Sequence, residues 1–155
     1  MKADAAGVRV RRMAEADLEP VMAIAESLRD APHWQREAYG AALDAGATPR
    51  RIALVAEGDA VMGFAVASVV TPQAELETIA VAAGEQGRGI GRRLMSALVA
   101  ELKGEGVGEV LLEVRASNQR ALEFYRSLGW DETGRRPGYY SGPEEDAVLM
   151  GLKLG

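Results

Sequence analysis

A glycine- and arginine-rich stretch in the middle of the chain has the residue types and spacing of an anion-binding site. Residues 86–93 read Gln-Gly-Arg-Gly-Ile-Gly-Arg-Arg and lie between a strand-like run, 76–81, and a helical pattern with Leu94, Leu98 and Leu102 on one stripe. A glycine-rich turn at a helix N-terminus directs N–H groups outward at the positive end of the helix dipole, where the three arginines are unfavourable unless an anion binds. We therefore expect a cradle for a pyrophosphate-bearing ligand.

Two other interpretations of this stretch remain open. It can be an ordinary strand–turn–helix connection with glycines for tight packing, or a dinucleotide-binding fingerprint with Glu113 near the place of its ribose-binding acid. The fingerprint needs a third glycine three residues after Gly89, where Arg92 stands, and it normally follows the first strand of a domain. The dinucleotide interpretation is therefore disfavoured.

Composition restricts the chemistry that the chain can perform. Its 155 residues predict one domain, 1–155. The chain has no cysteine, and its single histidine, His33, lies at a helix start, where a surface or capping role is expected. These counts exclude a cysteine nucleophile and leave too few ligands for a histidine or thiolate metal site, so we expect no metal.

The charge balance bears on partners and location. A formal net charge of −5 makes a poor nucleic-acid binder and a reasonable partner for basic peptides or amines. The longest uncharged run, 60–74, is too short to span a membrane, and no apolar signal sequence follows residues 1–4. We expect a cytoplasmic protein, a monomer or weak dimer, with no nucleic-acid or membrane partner.

The order of elements predicts a mixed α/β (α+β) fold, a single twisted and mainly antiparallel sheet of six to seven strands with helices on both faces. The run at 61–70 is apolar almost throughout, which predicts a strand covered on both faces. The patterns place strands at 8–11, 51–56, 61–70, 75–81, 109–114, 130–133 and 147–152, helices at 15–28, 34–45 and 118–128, a further helix from the glycine loop to about 103, and a long connection at 134–146.

The segment 79–154 resembles the GNAT acyl-CoA N-acetyltransferases. Residues 86–91 match that family's Gln/Arg-x-x-Gly-x-Gly/Ala pyrophosphate loop, and Asn118 with 121–130 matches its following helix. Within the family, residues 112–118, Tyr139, Tyr140 and 145–150 resemble the RimI-type enzymes, which acetylate the N-terminal amine of a small-subunit ribosomal protein. Residues 32–34 resemble them more loosely.

The resemblance implies the GNAT fold and acetyl-CoA as donor. Ile79 and Val81 would pair with the pantetheine amides like an added strand, an N–H near Val81 would receive the thioester oxygen, and Asn118 would contact the pantetheine arm. With no cysteine or histidine nucleophile, direct transfer in a ternary complex is favoured. The expected donor-binding residues are Ile79, Ala80, Val81, Gln86, Gly87, Arg88, Gly89, Ile90, Gly91, Arg92, Asn118 and Tyr125.

The same resemblance gives Glu113 the role of general base and Tyr125 that of general acid. An α-amine with a pKa near 8 is already about one-tenth neutral at pH 7, so it asks less of a base than a lysine amine. Glu77 is the alternative base. Other interpretations are that Glu113 only pairs with Arg115 or Arg120, and that Tyr125 only packs against aromatic neighbours.

Acceptor recognition is expected to involve Trp34, Tyr139 and Tyr140 as groove walls, with Glu75 and Glu77 holding the substrate's positive charge. These three aromatic residues can equally be ordinary packing residues. The leading hypothesis is an N-terminal acetyltransferase of a ribosomal protein that begins with alanine. The alternatives are a GNAT enzyme acting on a small amine and a non-catalytic acyl-CoA-binding module.

Overall fold

The computed structural model describes residues 7–155, so the predicted absence of a signal sequence at residues 1–4 lies outside the described range. Seven strands and four helices are present among the described residues. The strands are β1 Arg9–Arg12, β2 Arg50–Glu57, β3 Val61–Val70, β4 Gln73–Val81, β5 Glu109–Arg115, β6 Asp131–Tyr140 and β7 Glu145–Lys153. The helices are α1 Leu18–Ser27, α2 Arg36–Leu43, α3 Ile90–Gly104 and α4 Gln119–Ser127, with short 3-10 turns at Glu15–Asp17 and Ala83–Glu85.

One twisted sheet holds all seven strands in the order β1-β2-β3-β4-β5-β7-β6. Every neighbouring pair is antiparallel except β4 and β5, which run parallel. The predicted fold class, a mainly antiparallel sheet with helices on both faces, is confirmed.

Two hydrophobic cores cover the two faces of the sheet. The α3-side core takes the buried stripe Leu94, Leu98 and Leu102, and the α1-side core contains Val21 and Phe64. Alternate residues of β2 and β3 enter one core or the other, which is why these strands are apolar on both faces. The predicted helical stripe is therefore the inner face of α3.

The chain between residues 134 and 146 differs from the prediction. It was expected to be a long connection, but β6 extends to Tyr140 and only residues 141–144 separate it from β7. Pro137 and Gly138 fall where the register of β6 against β7 shifts, between Arg136 and Tyr140. An edge strand tolerates proline at such an irregularity, because the missing N–H has no ladder partner to lose.

The helix boundaries also differ slightly. The helix predicted at 34–45 starts at Arg36 and ends at Leu43, and the one predicted at 15–28 begins with a 3-10 turn before α1. None of the helices among residues 7–155 is both long and apolar enough to cross a membrane.

An ion-pair network fastens β1 and the following turn to β2. The Arg11 guanidinium donates to both oxygens of Asp17, at 2.7 and 2.9 Å, and to Glu57 at 2.9 Å. Asp17 is buried and also accepts from the backbone N–H of Ala14. The hydrogen bonds from Arg11 lower the pKa of Asp17.

Replacing Asp17 with asparagine should destabilise the fold by about 1–3 kcal/mol at pH 7, because the buried charge-assisted hydrogen bonds are lost. The lowered pKa makes the carboxylate's contribution complete above about pH 4, with loss as the pH falls through that lowered pKa. Urea unfolding at pH 7 and at pH 3 measures both effects. The difference in free energy of unfolding between wild type and variant should be smaller at pH 3.

Glu19 supplies the matched control, since its ion pair with Arg36 is largely exposed. Glu19→Gln should change the free energy of unfolding by no more than about 0.5 kcal/mol. Equal effects of the two substitutions would contradict the role given to burial.

Candidate active site

A cleft opens where β4 and β5 separate. Their parallel pairing covers only three positions, residues 73–75 with 109–111. Beyond it the strands diverge, and a cleft of about 910 Å³ lies between them. Most of the expected site residues line this cleft, namely Glu77, Ile79, Ala80, Val81, Gln86, Gly87, Gly89, Ile90, Gly91, Arg92, Glu113, Asn118, Tyr125 and Tyr140.

The glycine loop enters α3 with backbone angles that favour glycine. Gly87 and Gly89 both have φ near +82°, and Gly89 is the N-cap of α3. A side chain at Gly91 would come within 3.2 Å of the Phe124 ring, so this glycine lets α4 pack closely against the loop. The loop thus combines an open helix N-terminus, which an anion site would require, with the tight packing that was its alternative interpretation.

The arginines of the loop have different surroundings. Arg88 forms an ion pair with Glu85 and does not line the cleft. Arg92 is exposed and lines the cleft near the start of α3. Arg92 is therefore the loop arginine best placed to meet an anion there.

Gln86 connects the end of β4 to α4. Its side-chain N–H donates to the Val81 carbonyl at 3.0 Å, and its side-chain oxygen accepts from Arg120 at 2.9 Å. Asn118 caps α4, its side-chain oxygen accepting from the Ala121 N–H at 3.2 Å. Gln86 thus ties the glycine loop to β4 and α4, and both residues line the cleft.

A β-bulge turns the side chains of β4 within the cleft. Leu76 pairs with Ala67 and Thr78 with Val66, so Glu77 is an extra residue on β4. Leu76 packs in the α3-side core, whereas after the bulge Ile79 contacts that core and Ala80 joins the α1-side core. The bulge therefore brings Glu77 and Thr78 to the same face of the sheet.

Glu113 lies on this same face, since its neighbours Leu112 and Val114 enter the α3-side core. The cation beside Glu113 is Arg136, at 3.6 Å. The Glu113 carboxylate also raises the pKa of the Tyr139 hydroxyl. The proposed partners Arg115 and Arg120 instead contact Glu145 and Gln86. Glu113 keeps about a quarter of its side chain exposed, toward the cleft that it lines.

Tyr125 reaches the cleft from α4. Burial raises the pKa of its hydroxyl to about 12, so the phenol stays protonated throughout the neutral range. Its ring also packs 5.5 Å from that of Phe124 and 5.6 Å from that of Trp130, measured between centroids. Packing against aromatic neighbours and lining the cleft are thus properties of the same side chain.

The other two carboxylates differ in their partners. Glu77 forms an ion pair with Arg51 at 2.6 Å. Glu75 makes no salt bridge to another described residue, and partial burial together with Glu77 and Glu113 raises its pKa. Glu75 lines a second cavity of about 330 Å³, the side groove, which shares Glu113 with the cleft. We call the sheet surface that bears these three acids the carboxylate face.

The aromatic residues expected to contact the acceptor are dispersed. Tyr140 lines the cleft, with the Arg115 guanidinium 4.3 Å from its ring centroid. Tyr139 is about half exposed, 5.1 Å from Tyr140, and is not part of the cleft wall. Trp34 packs against Tyr39 at 5.1 Å and lines neither cavity.

Sequence reasoning missed Arg136 and Thr78. Arg136 lies in the segment that was predicted to be a connection, and only the pairing of β6 with β7 brings it within reach of Glu113. Thr78 is buried on the carboxylate face and lines the cleft. The β-bulge places Thr78 on this face, and the sequence contains no pattern that predicts a bulge. No cluster of acidic or histidine residues within 7–155 is arranged to hold a metal ion.

Comparison with known proteins agrees with this geometry. The sequence profile of the acetyltransferase (GNAT) family matches residues 18–130. Two relatives named [ribosomal protein bS18]-alanine N-acetyltransferase, from Salmonella typhimurium and Escherichia coli, are each 43% identical, over 62% and 59% of this chain. The alignments cover 66% and 63% of those proteins, less than two thirds of their length.

A solved structure covers nearly the whole chain. The crystal structure of the ribosomal-protein-S18-alanine N-acetyltransferase from Escherichia coli superposes with a TM-score of 0.84 at 30% identity, over 96% of this chain and 94% of that one. The family profile, the shared fold and the glycine loop at the diverging strands all agree. The chain belongs to the GNAT acetyltransferase family.

Proposed function

We propose that this chain acetylates the N-terminal α-amine of a protein with acetyl-CoA as donor, and that its acceptor is a small-subunit ribosomal protein that begins with alanine. The observation that carries the proposal is the meeting of Glu113 from β5 and Tyr125 from α4 in one cleft, beside the glycine loop. The names of the relatives from Salmonella typhimurium and Escherichia coli support the choice of acceptor. Such an enzyme would work in the cytoplasm.

The residues around the cleft fit an acyl-CoA donor. The backbone N–H groups at the start of α3, with Arg92 nearby, suit a diphosphate. The edge of β4 that faces β5 has no ladder partner beyond Glu75, which leaves backbone amides near Ile79 and Val81 for the pantetheine amides. Asn118, the N-cap of α4, lines the same cleft. The donor supplies the activated acetyl thioester.

The acceptor is expected to approach from the carboxylate face. Its neutral amine attacks the thioester carbonyl, so a C–N bond forms and the C–S bond breaks in one ternary complex. Glu113 accepts the proton that the amine loses, directly or through one water molecule. The positive charge of Arg136 balances the carboxylate in the resting site.

Tyr125 is proposed to stabilise the leaving thiolate by donating a hydrogen bond. A thiol has a pKa near 8.5, so complete proton transfer from a phenol with a pKa of about 12 is unfavourable by roughly three orders of magnitude. A hydrogen bond to sulfur needs no such transfer. The buried phenol remains a donor at every pH at which the enzyme would work.

Gly89→Ala should weaken coenzyme A binding about tenfold or more. Its φ of +82° strains any side chain, and relief of that strain would displace the backbone N–H groups that are expected to meet the diphosphate. Isothermal titration calorimetry measures the change. Gly104→Ala, at the far end of α3 with open space around it, is the control and should bind as the wild type does. Equal affinity of the two variants would contradict the assignment of the loop.

Glu113→Gln should lower kcat for an alanine-initiated peptide by about 10²–10⁴, because the proton acceptor is lost while the size of the side chain is kept. Acetyl-CoA affinity should not change. Glu109→Gln is the matched control, because Glu109 lies on the same strand and pairs with Lys153. Acetylation of small amines with no turnover of peptides would show that the acceptor is a small amine. An unchanged kcat in Glu113→Gln would show that Glu113 is not the base.

Tyr125→Phe should reduce kcat by at least about tenfold, because the hydrogen bond forms to the departing sulfur. The KM for acetyl-CoA and the KM for the peptide should change little. Since the pKa of Tyr125 is about 12, the wild-type pH–rate profile should show no falling limb from this residue between pH 8 and 10. A falling limb in that range that disappears in Tyr125→Phe would show that the phenol ionises much earlier.

A further inference from the structure

The hydroxyl of Thr78 is a buried polar group without a protein partner. Thr78 is 6% exposed, and its Oγ1 finds no hydrogen-bond partner among the described residues. A buried hydroxyl in this condition is costly, and an isosteric valine would avoid the cost. This oxygen therefore makes no hydrogen bond within residues 7–155 that would stabilise the fold.

The position of Thr78 distinguishes it from similar groups. Tyr39 and Trp130 also carry a buried polar atom without a partner, but neither lines the cleft. Thr78 does line the cleft, between Glu77 and Ile79 on β4. Of these three residues, only Thr78 lies at the cleft, so only there is an unpartnered hydroxyl next to the space that a substrate would occupy.

The register of β4 indicates which substrate this is. Thr78 pairs with Val66 of the α1-side core, and paired residues point to the same face of a sheet. That is the carboxylate face, from which the acceptor approaches. Ile79, the next residue along the strand, contacts the opposite core. The donor would therefore lie along the backbone edge of β4, whereas the acceptor would meet the side chain of Thr78.

We propose that Thr78 binds the reacting amino group of the acceptor, an inference that rests on the proposed function. Its Oγ1 accepts a hydrogen bond from an N–H of the neutral amine. This contact orients the lone pair of the amine toward the thioester carbon while Glu113, across the cleft, takes the proton. The β-bulge at Glu77 is then a device that brings this hydroxyl to the acceptor side.

The test compares Thr78→Val and Thr78→Ser in steady-state assays with acetyl-CoA and an alanine-initiated peptide. Thr78→Val should lower kcat/KM for the peptide about three- to tenfold, the range expected for one neutral hydrogen bond, with the KM for acetyl-CoA unchanged. Its melting temperature should equal or exceed that of the wild type. Thr78→Ser, which keeps the hydroxyl, should stay within about twofold of the wild type.

Tyr39→Phe is the matched control, because it removes an equally buried hydroxyl that does not reach the cleft. It should leave the kinetics unchanged. Wild-type kinetics in Thr78→Val, or a change confined to the KM for acetyl-CoA, would overturn the inference while leaving the proposed function in place. A wild-type chain that acetylates no peptide would overturn both. If Thr78→Val does not fold, Thr78→Ala against Thr78→Ser decides the same question.

Discussion

The site depends on the incomplete pairing of two parallel strands. β4 and β5 share only three residue pairs before they diverge, although each continues for several residues more. Divergence leaves an unpaired strand edge inside the molecule, where exposed backbone groups would normally be a liability. The cleft, the free edge of β4 and the approach of α4 to the glycine loop all follow from this one departure from a regular sheet. A continuous ladder would place β5 against β4 and leave no room for a substrate between them.

Charge compensation on the carboxylate face decides which acids are available for chemistry. Arg51 holds Glu77 in a close ion pair, whereas Arg136 lies farther from Glu113, on an edge strand with more than half of its side chain exposed. A cation that is exposed and loosely placed can move aside or remain as a counter-charge at little cost. This arrangement favours Glu113 over Glu77 as the acid that exchanges protons with a substrate. Burial acts on Tyr125 in a different way, because it raises the pKa of the phenol and keeps it protonated throughout the neutral range.

The sequence predicted most of the fold and most of the residues that line the cleft, and physical reasons separate these predictions from those that differed. The glycine loop and the leucine stripe of α3 are local patterns, readable because a helix repeats every 3.6 residues and a tight turn needs glycine. The prediction of a long connection at residues 134–146 was wrong, because proline and glycine suggest a loop unless the strand lies at a sheet edge. The bulge at Glu77 is set by pairing with β3 and has no signature of its own. The contacts of Glu113 with Arg136 and of Trp34 with Tyr39 are tertiary, and spacing along the chain cannot reveal them.

The short ladder between β4 and β5 also divides the sheet into two sections, the β1–β4 meander and the β5-β7-β6 unit, joined by three residue pairs and by the core under α3. A ligand seated in the cleft touches both sections and becomes part of the contact between them. Thermodynamic linkage then makes the stability of the folded chain a function of ligand supply, worth about 2.7 kcal/mol when the free ligand exceeds its dissociation constant a hundredfold. The chain would therefore resist unfolding and proteolysis best in cells rich in the thioester and become more vulnerable as that pool declines.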